Sequence, residues 1–104
     1  MLRAALVAIC LGVLPAAALA AGKTYTVTIE GMKFAPERLE VAAGDTVIWT
    51  NKDIVPHTVT ASQAHVESGE LATNKRFRLV AKKKGEMPYI CRLHPVMKGV
   101  LVVK

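Results

Sequence analysis

The chain has 104 residues and carries 14 lysines and arginines against eight acidic residues, a net charge of +6 with neutral histidines. Hydrophobic residues make up 52% of it, a share raised by the apolar first 20 residues. A chain of this length forms one domain, which excludes the multidomain classes of enzyme.

The first 20 residues, MLRAALVAICLGVLPAAALA, have the pattern of a secretory signal peptide. Arg3 supplies a short positive region, an apolar run covers residues 4–14, and the small residues Ala18 and Ala20 precede the cleavage site. Such a segment is removed on export, so it takes no part in the predicted fold.

An uncleaved membrane anchor is the alternative interpretation of this segment. Gly12 and Pro15 interrupt the apolar run, which is shorter than the ~20 residues that a spanning helix needs. We therefore expect residues 1–20 to be a signal peptide. Residues 21–104 should form a single domain in the periplasm, with a charge of +5 after the loss of one arginine.

Export makes the cysteine content informative. Cys10 leaves with the signal peptide, so Cys91 is the one cysteine of the exported chain. Free thiols are normally paired or oxidised in such a compartment. A buried, inert thiol is the simplest explanation of an isolated cysteine. The residues next to Cys91 argue against that explanation.

The exported chain reads as a succession of short strands, beginning with TYTVTIE at residues 24–30. Alternation there places Tyr25, Val27 and Ile29 on one face. RLEVAAGDTVIWTN at residues 38–51 then predicts two strands joined by a turn at Gly44-Asp45. The second of these strands should direct Val47 and Trp49 inward.

The remaining segments continue this pattern. HTVTA, RFRLVA, YIC and GVLVVK are further strand candidates, and Gly85 marks a turn. Residues 61–75 are polar and predict a long loop or a short helical turn. Seven or so short strands with closely spaced turns indicate an all-β fold, either a sandwich or a small barrel.

Near the C-terminus, CRLHPVMKG places Cys91, His94 and Met97 at three-residue intervals. Two histidines and a cysteine in a trigonal set, with a weak axial methionine, are the ligands of blue-copper sites. The second histidine must come from His57 or His65. His57 directly precedes an alternating strand, which could direct it, whereas His65 lies in a polar loop. We therefore predict His57 as the ligand.

Zinc is the competing metal for cysteine and histidine. Structural zinc sites take four nitrogen or sulfur ligands, usually with several thiolates. The exported chain offers one thiolate, and thioether is a poor ligand for zinc. Each of these residue types alone is most often an ordinary core or surface residue, but their joint pattern favours copper.

These segments give the chain a resemblance to the cupredoxins, the small blue copper proteins, and most of all to the amicyanins. The short ligand loop C-x2-H-x2-M is the amicyanin form, and VPHTV resembles the first ligand segment. The resemblance implies a Greek-key β-sandwich of about seven to eight strands that binds one type 1 copper ion. It assigns His57, Cys91 and His94 as equatorial ligands and Met97 as the axial ligand.

Two residues depart from the family pattern. The family has asparagine directly after the first ligand histidine, where it helps to join the two ligand segments, and this chain has Thr58. The threonine hydroxyl would have to replace that asparagine. Pro88 lies in the strand that leads to Cys91, so it must face an unpaired edge or a bulge.

The resemblance implies a carrier of single electrons, through Cu(II)/Cu(I) cycling, and no enzyme. A copper-binding protein for delivery or storage is the alternative, and the chain lacks the methionine- or histidine-rich tracts that would favour it. Copper oxidases and nitrite reductases reuse this fold, but they need further domains and more histidines than the three present.

Basic residues indicate what kind of partner the protein meets. A run of lysines and arginines covers residues 75–84, and Arg92 and Lys98 flank the predicted copper loop. A solvated face is the simplest explanation of such charge. We expect no nucleic-acid partner and no membrane span after cleavage. The protein should be a monomer, and its surface near His94 should dock on an acidic patch of a redox protein. A c-type cytochrome or a periplasmic dehydrogenase would fit, and the resemblance to amicyanins implies an amine-oxidising dehydrogenase.

Overall fold

The computed structural model describes residues 22–104, so the predicted signal peptide lies outside the described residues. No helix within 22–104 is long and apolar enough to cross a membrane. In this described part of the chain, nine strands form two sheets, and one short 3-10 helix lies between β5 and β6, at Ser62–Ala64. The strands are β1 (Thr24–Glu30), β2 (Lys33–Ala35), β3 (Arg38–Val41), β4 (Thr46–Asn51), β5 (Thr60–Ala61), β6 (Val66–Glu67), β7 (Arg76–Val80), β8 (Gly85–Cys91) and β9 (His94–Val103).

The two sheets are both mixed. One has the order β2-β1-β4-β7 and the other β3-β9-β8-β5-β6. The pairs β1–β4 and β3–β9 are parallel, and the other pairs are antiparallel. The chain crosses between the sheets after β2, β3, β4, β6 and β7. This connectivity confirms the predicted all-β Greek-key sandwich, and the count exceeds seven to eight because β5 and β6 are two-residue strands.

The core lies between the sheets and follows the predicted alternation. Val27 and Ile29 of β1 and Val47 and Trp49 of β4 are all buried, while Tyr25 is partly buried. β1 shows the period-2 burial of a strand with one face toward a core, whereas β4 is buried along most of its length. The inward-facing side chains of β1 and β4, together with Phe34 of β2, therefore form the buried part of the first sheet's contribution to the core.

Residues 57–75 differ from the prediction in detail. The expected strand HTVTA shrinks to Thr60–Ala61, because His57 makes only an isolated bridge, to Leu71. The segment 61–75 contains both a 3-10 turn and the short strand β6, so it is a loop with local structure.

Pro88 has the surroundings that its missing N–H requires. Pro88 is paired with Val100 of β9, whereas β5 meets β8 at Ile90. On the side away from β9, none of the described strands pairs with Pro88. A bulge follows between Ile90 and Cys91. The unpaired edge places no demand on a donor at residue 88.

Tyr89 fills the core beneath this edge. Its side chain is 2% exposed, and its ring makes edge contacts with Phe34 and Trp49 at centroid distances of 4.8 and 5.4 Å. Gly99 lies directly opposite on β9, where a Cβ would collide with the phenol ring. Burial disfavours the charged phenolate and raises the pKa of Tyr89 from 10.0 to about 12.

We expect Tyr89 to make the fold sensitive to alkaline pH. Between pH 10 and about pH 12 the unfolded chain releases this proton and the folded chain keeps it, so stability falls as pH rises. At about pH 11 the loss should reach about 1.4 kcal/mol relative to Tyr89→Phe, which keeps the ring without the hydroxyl. Urea unfolding of both proteins from about pH 8 to about pH 11 measures this difference, and parallel curves would contradict it.

Candidate metal centre

Three of the predicted metal-site residues, Cys91, His94 and Met97, come from one hairpin. Cys91 ends β8, His94 begins β9, and the two residues pair across the turn formed by Arg92 and Leu93. His94 therefore lies at the start of a strand rather than within a loop. The hairpin brings the thiol and the imidazole to the same end of the second sheet.

His57 reaches this end from the connection between β4 and β5. Its N–H donates to the carbonyl of Leu71 at 3.1 Å, and the N–H of Leu71 donates to the carbonyl of His57 at 2.7 Å. This reciprocal pair, rather than the predicted strand, fixes the backbone of His57. The side chain is fully buried.

The three side chains converge around one point. Nδ1 of His57 and Nδ1 of His94 each lie 3.7 Å from Sγ of Cys91, and the three donor atoms lie within 4.8 Å of one another. Metal–sulfur and metal–imidazole bonds of about 2.3 and 2.0 Å at a trigonal angle separate two donors by about 3.7 Å. The spacing therefore suits a single ion among three donors.

The remaining candidates lie as follows. Met97 is buried in β9, three residues after His94. His65 is exposed at the end of the 3-10 turn and is not part of the three-residue cluster. A set with one thiolate, two imidazoles and a buried thioether close by in sequence matches the preferences of copper better than those of structural zinc.

Asp53 is a part of the site that the sequence analysis missed. Nε2 of His57 lies 2.7 Å from Oδ2 of Asp53. An ionised carboxylate only accepts, so Nε2 of a neutral His57 carries the proton and Nδ1, which faces Cys91, is left with its lone pair. The sequence feature that could have predicted this contact is the position of Asp53, an acidic residue four positions before His57.

Asp53 also anchors the turn between β1 and β2. Its carboxylate accepts the backbone N–H groups of Gly31 at 2.7 Å and Met32 at 3.0 Å, both of which have positive φ. Burial by itself would raise the pKa of Asp53, but hydrogen bonds from Met32, His57 and Gly31 outweigh it and hold the pKa below its usual value. The carboxylate therefore remains ionised and joins this turn to His57.

Asn51 holds the connection that carries Asp53 and His57. Its buried side-chain amide donates to the carbonyls of Val55 and Leu71, both at 2.8 Å, and its Oδ1 accepts the N–H of Asp53 at 2.8 Å. The segment between β4 and His57 is thus fixed at several points by one buried amide.

Thr58 stands where the family has asparagine, and its hydroxyl makes the contact that this replacement requires. Its hydroxyl accepts the N–H of Arg92 at 2.9 Å, and its own N–H points at Sγ of Cys91 at 3.4 Å. The hydroxyl therefore joins the segment of His57 to the segment of Cys91, the role that the resemblance gives to asparagine. The contact with Cys91 is buried and the contact with Arg92 is partly buried, so a lost partner at either is costly.

Comparison with known proteins identifies the family. Residues 3–103 match the cupredoxin-like domain. The chain is 33% identical over 102 residues to amicyanin-alpha of Methylorubrum extorquens, across 93% of this chain and 86% of the relative. It also superposes on a solved amicyanin variant in the Cu(I) form, with a TM-score of 0.74 and 30% identity over 84% of this chain and 88% of that one. A copper-containing nitrite reductase of Thermus scotoductus has a TM-score of 0.73 at 30% identity, but the match spans 78% of this chain and 22% of the enzyme.

The chain belongs to the cupredoxin family. Its similarity to amicyanins extends over most of the sequence, which confirms the resemblance drawn from the ligand loop. Copper is accordingly its cofactor, and the cluster of His57, Cys91 and His94 offers the donor types of a type 1 site.

We expect Asp53→Asn to weaken copper binding by roughly 10- to 100-fold, as loss of an outer carboxylate partner typically does. A neutral amide holds the Nε2–H tautomer of His57 less firmly. Asp45→Asn is the matched control, because Asp45 also accepts two backbone N–H groups, from Lys23 and Ala42, but contacts no histidine. Titration against a copper chelator measures both affinities. Equal affinities in the two variants would show that the carboxylate acts on the fold alone.

Proposed function

We propose that this protein is a type 1 blue copper protein that carries single electrons between redox proteins in the periplasm. His57, Cys91 and His94 would hold the ion equatorially and Met97 axially. The observation that carries the proposal is the convergence of one thiol and two Nδ1 atoms at separations of 3.7 Å. Copper bound by such a set cycles between Cu(II) and Cu(I).

The surroundings of the donors support a carrier rather than a site for copper release or turnover. Cys91 and His57 are fully buried, and His57 is fixed by Leu71 and Asp53. Donors that the fold holds in place need little rearrangement when the charge of a bound ion changes. The burial of the thiol also supports a carrier over an enzyme, because it keeps a second reactant away from the sulfur.

His94 is the donor that connects the site with the surface, because its side chain is partly exposed. Exposed apolar side chains lie two residues after it in the chain, at Val96, and in two segments that Asp53 joins to His57. Val96 and Ile54 are 89% and 94% exposed, and Met32 and Val55 are also exposed. We call Met32, Ile54, Val55 and Val96 the apolar collar. Exposed apolar side chains on segments next to a site are suited to transient contact with another protein.

Two prolines next to this collar are exposed as well, Pro56 and Pro95. Ile54 and Val55 lie in the connection before His57, which Asn51 and Asp53 hold by hydrogen bonds to Val55 and to the ring of His57.

We propose residues 1–20 as a cleaved signal peptide and residues 21–104 as the single copper-binding domain. The sequence pattern of the leader supports export. The partner would be an acidic redox protein, such as a c-type cytochrome or a periplasmic dehydrogenase, that docks near His94. Lys98 supports this choice, since it is exposed on β9 and takes part in no ion pair of residues 22–104.

Arg92 is a poorer candidate for docking than its position in the sequence suggested. Its Nε donates to Oε1 of Glu67 at 2.9 Å, so its charge is already matched within the protein. A test of docking should therefore leave Arg92 in place.

Visible spectroscopy tests the copper site. With Cu(II) the protein should be blue, with an intense charge-transfer band near the red end of the visible range, because the Cys91 thiolate would bond the metal directly. Cys91→Ser should lose the band and remain folded, and His94→Ala should lose or strongly shift it. His65→Ala is the control histidine and should keep it. A colourless wild-type copper complex would overturn the proposal.

Electron-transfer kinetics test the docking charge. Lys98→Glu should slow reduction or oxidation by an acidic c-type cytochrome several-fold at low salt, with the midpoint potential unchanged. Lys84→Glu makes the same charge change next to the opposite end of β8 and should leave the rate near that of the wild type. The gap between the two variants should close as salt screens the charges. Equal rates at low salt would mean that Lys98 is solvated surface only.

A further inference from the structure

A closed ring of hydrogen bonds runs from the copper hairpin to a surface carboxylate. The N–H of Arg92 donates to Oγ1 of Thr58 at 2.9 Å, and the hydroxyls of Thr58 and Thr60 lie 2.8 Å apart. Thr60 donates to Oε1 of Glu67 at 3.0 Å, and Nε of Arg92 donates to the same oxygen at 2.9 Å. The ring therefore begins and ends at Arg92, the residue that follows Cys91.

The carboxylate sets the direction of the two bonds that hydroxyl groups donate in this ring, whereas the two N–H groups of Arg92 donate in any case. An ionised carboxylate only accepts hydrogen bonds, so Thr60 must donate its one hydroxyl proton to Glu67. Thr60 then accepts from Thr58, and Thr58 has no proton left for another partner. With that proton directed at Thr60, the lone pairs of the Thr58 oxygen face the N–H of Arg92 in one fixed arrangement. Without Glu67, either hydroxyl could donate to the other and this order would be lost.

Glu67 is itself held firmly. It lies opposite Thr60 in the β5–β6 pair, and its Oε2 accepts the N–H of Gly69 at 2.6 Å. Burial would raise the pKa of Glu67, but hydrogen bonds from Gly69, Arg92 and Thr60 outweigh it and keep the pKa below its usual value. The group is therefore an anion at neutral pH.

We infer that Glu67 is a positioning residue for the copper site, acting through Thr60 and Thr58 to hold together the two segments that carry His57 and Cys91. The inference rests on the proposed function only in naming copper as the ion whose potential responds. The hydrogen-bond ring belongs to the chain itself and can be measured without the metal.

The ring acts on Cys91 through the backbone of Thr58. The N–H of Thr58 points at Sγ of Cys91. Its position depends on the contact between the Thr58 hydroxyl and the N–H of Arg92, because both groups belong to the same residue. A donor at the sulfur stabilises the more electron-rich thiolate of the reduced site, so its weakening should lower the midpoint potential.

The first test is amide hydrogen exchange of Arg92, measured by NMR on the metal-free and the Cu(I) protein. Glu67→Ala removes the acceptor, and Arg92 should exchange at least about fivefold faster than in wild type. Glu67→Gln keeps an acceptor oxygen for Thr60 and Arg92 while losing the same charge, so it should exchange more slowly than Glu67→Ala. Glu70→Ala removes a charge three residues away and should stay within about twofold of wild type.

The second test compares midpoint potentials. Glu67→Ala and Glu67→Gln carry the same charge, so a lower potential in the alanine variant reports the ring rather than electrostatics. In a Thr60→Val background, which opens the ring at its middle, the two substitutions should give equal potentials. A difference that persists there, or equal potentials and equal Arg92 exchange in the wild-type background, would overturn the role of Glu67. Failure of the copper protein to show a thiolate band would count against the proposed function instead, since the exchange in metal-free protein does not depend on it.

Discussion

The antiparallel pairing of Cys91 with His94 across a two-residue turn is the constraint on which the site depends. It places a thiol and an imidazole on adjoining strands, with no freedom to separate unless the β8–β9 ladder opens. That ladder runs the length of β8 and extends into the core through Tyr89 and Gly99, whose close approach allows no side chain at residue 99. Rigidity at the site is therefore a property of the sandwich.

The second segment has no such ladder. His57 makes a single bridge to Leu71, and the connection before it has no regular structure. Its order comes from buried polar side chains: Asn51 holds the backbone, and Asp53 holds the ring of His57. Because buried polar groups that lose a partner are costly, a few such bonds can fix a loop as well as a strand would.

Two carboxylates outside the donor set thus orient opposite parts of the site. Asp53 acts on the imidazole of His57, and Glu67 acts on the contact between Thr58 and Arg92. Both pKa values lie below their usual range because several N–H or O–H groups donate to each. The pairing of Glu67 with Arg92 also explains why a basic residue beside the copper loop contributes less to surface charge than its position suggests. The exposed collar and Lys98 are left as the features available to a partner.

The sequence by itself determined the all-β class, the inward faces of β1 and β4, and the residues of the metal cluster. Those features depend on the local alternation of apolar residues and on the chemistry of a few donor types, and both can be recognised in the sequence alone. The structure places His57, rather than His65, beside Cys91 and His94, and a bridge to Leu71 holds its backbone where a strand was expected. Only the tertiary structure could decide the positions of Asp53, Glu67 and Thr58, since each acts across contacts between separate segments. A carboxylate at residue 67 and a backbone N–H at residue 92 are ordinary in the sequence, and they acquire a role only because the second sheet brings them within hydrogen-bond distance of the same threonines.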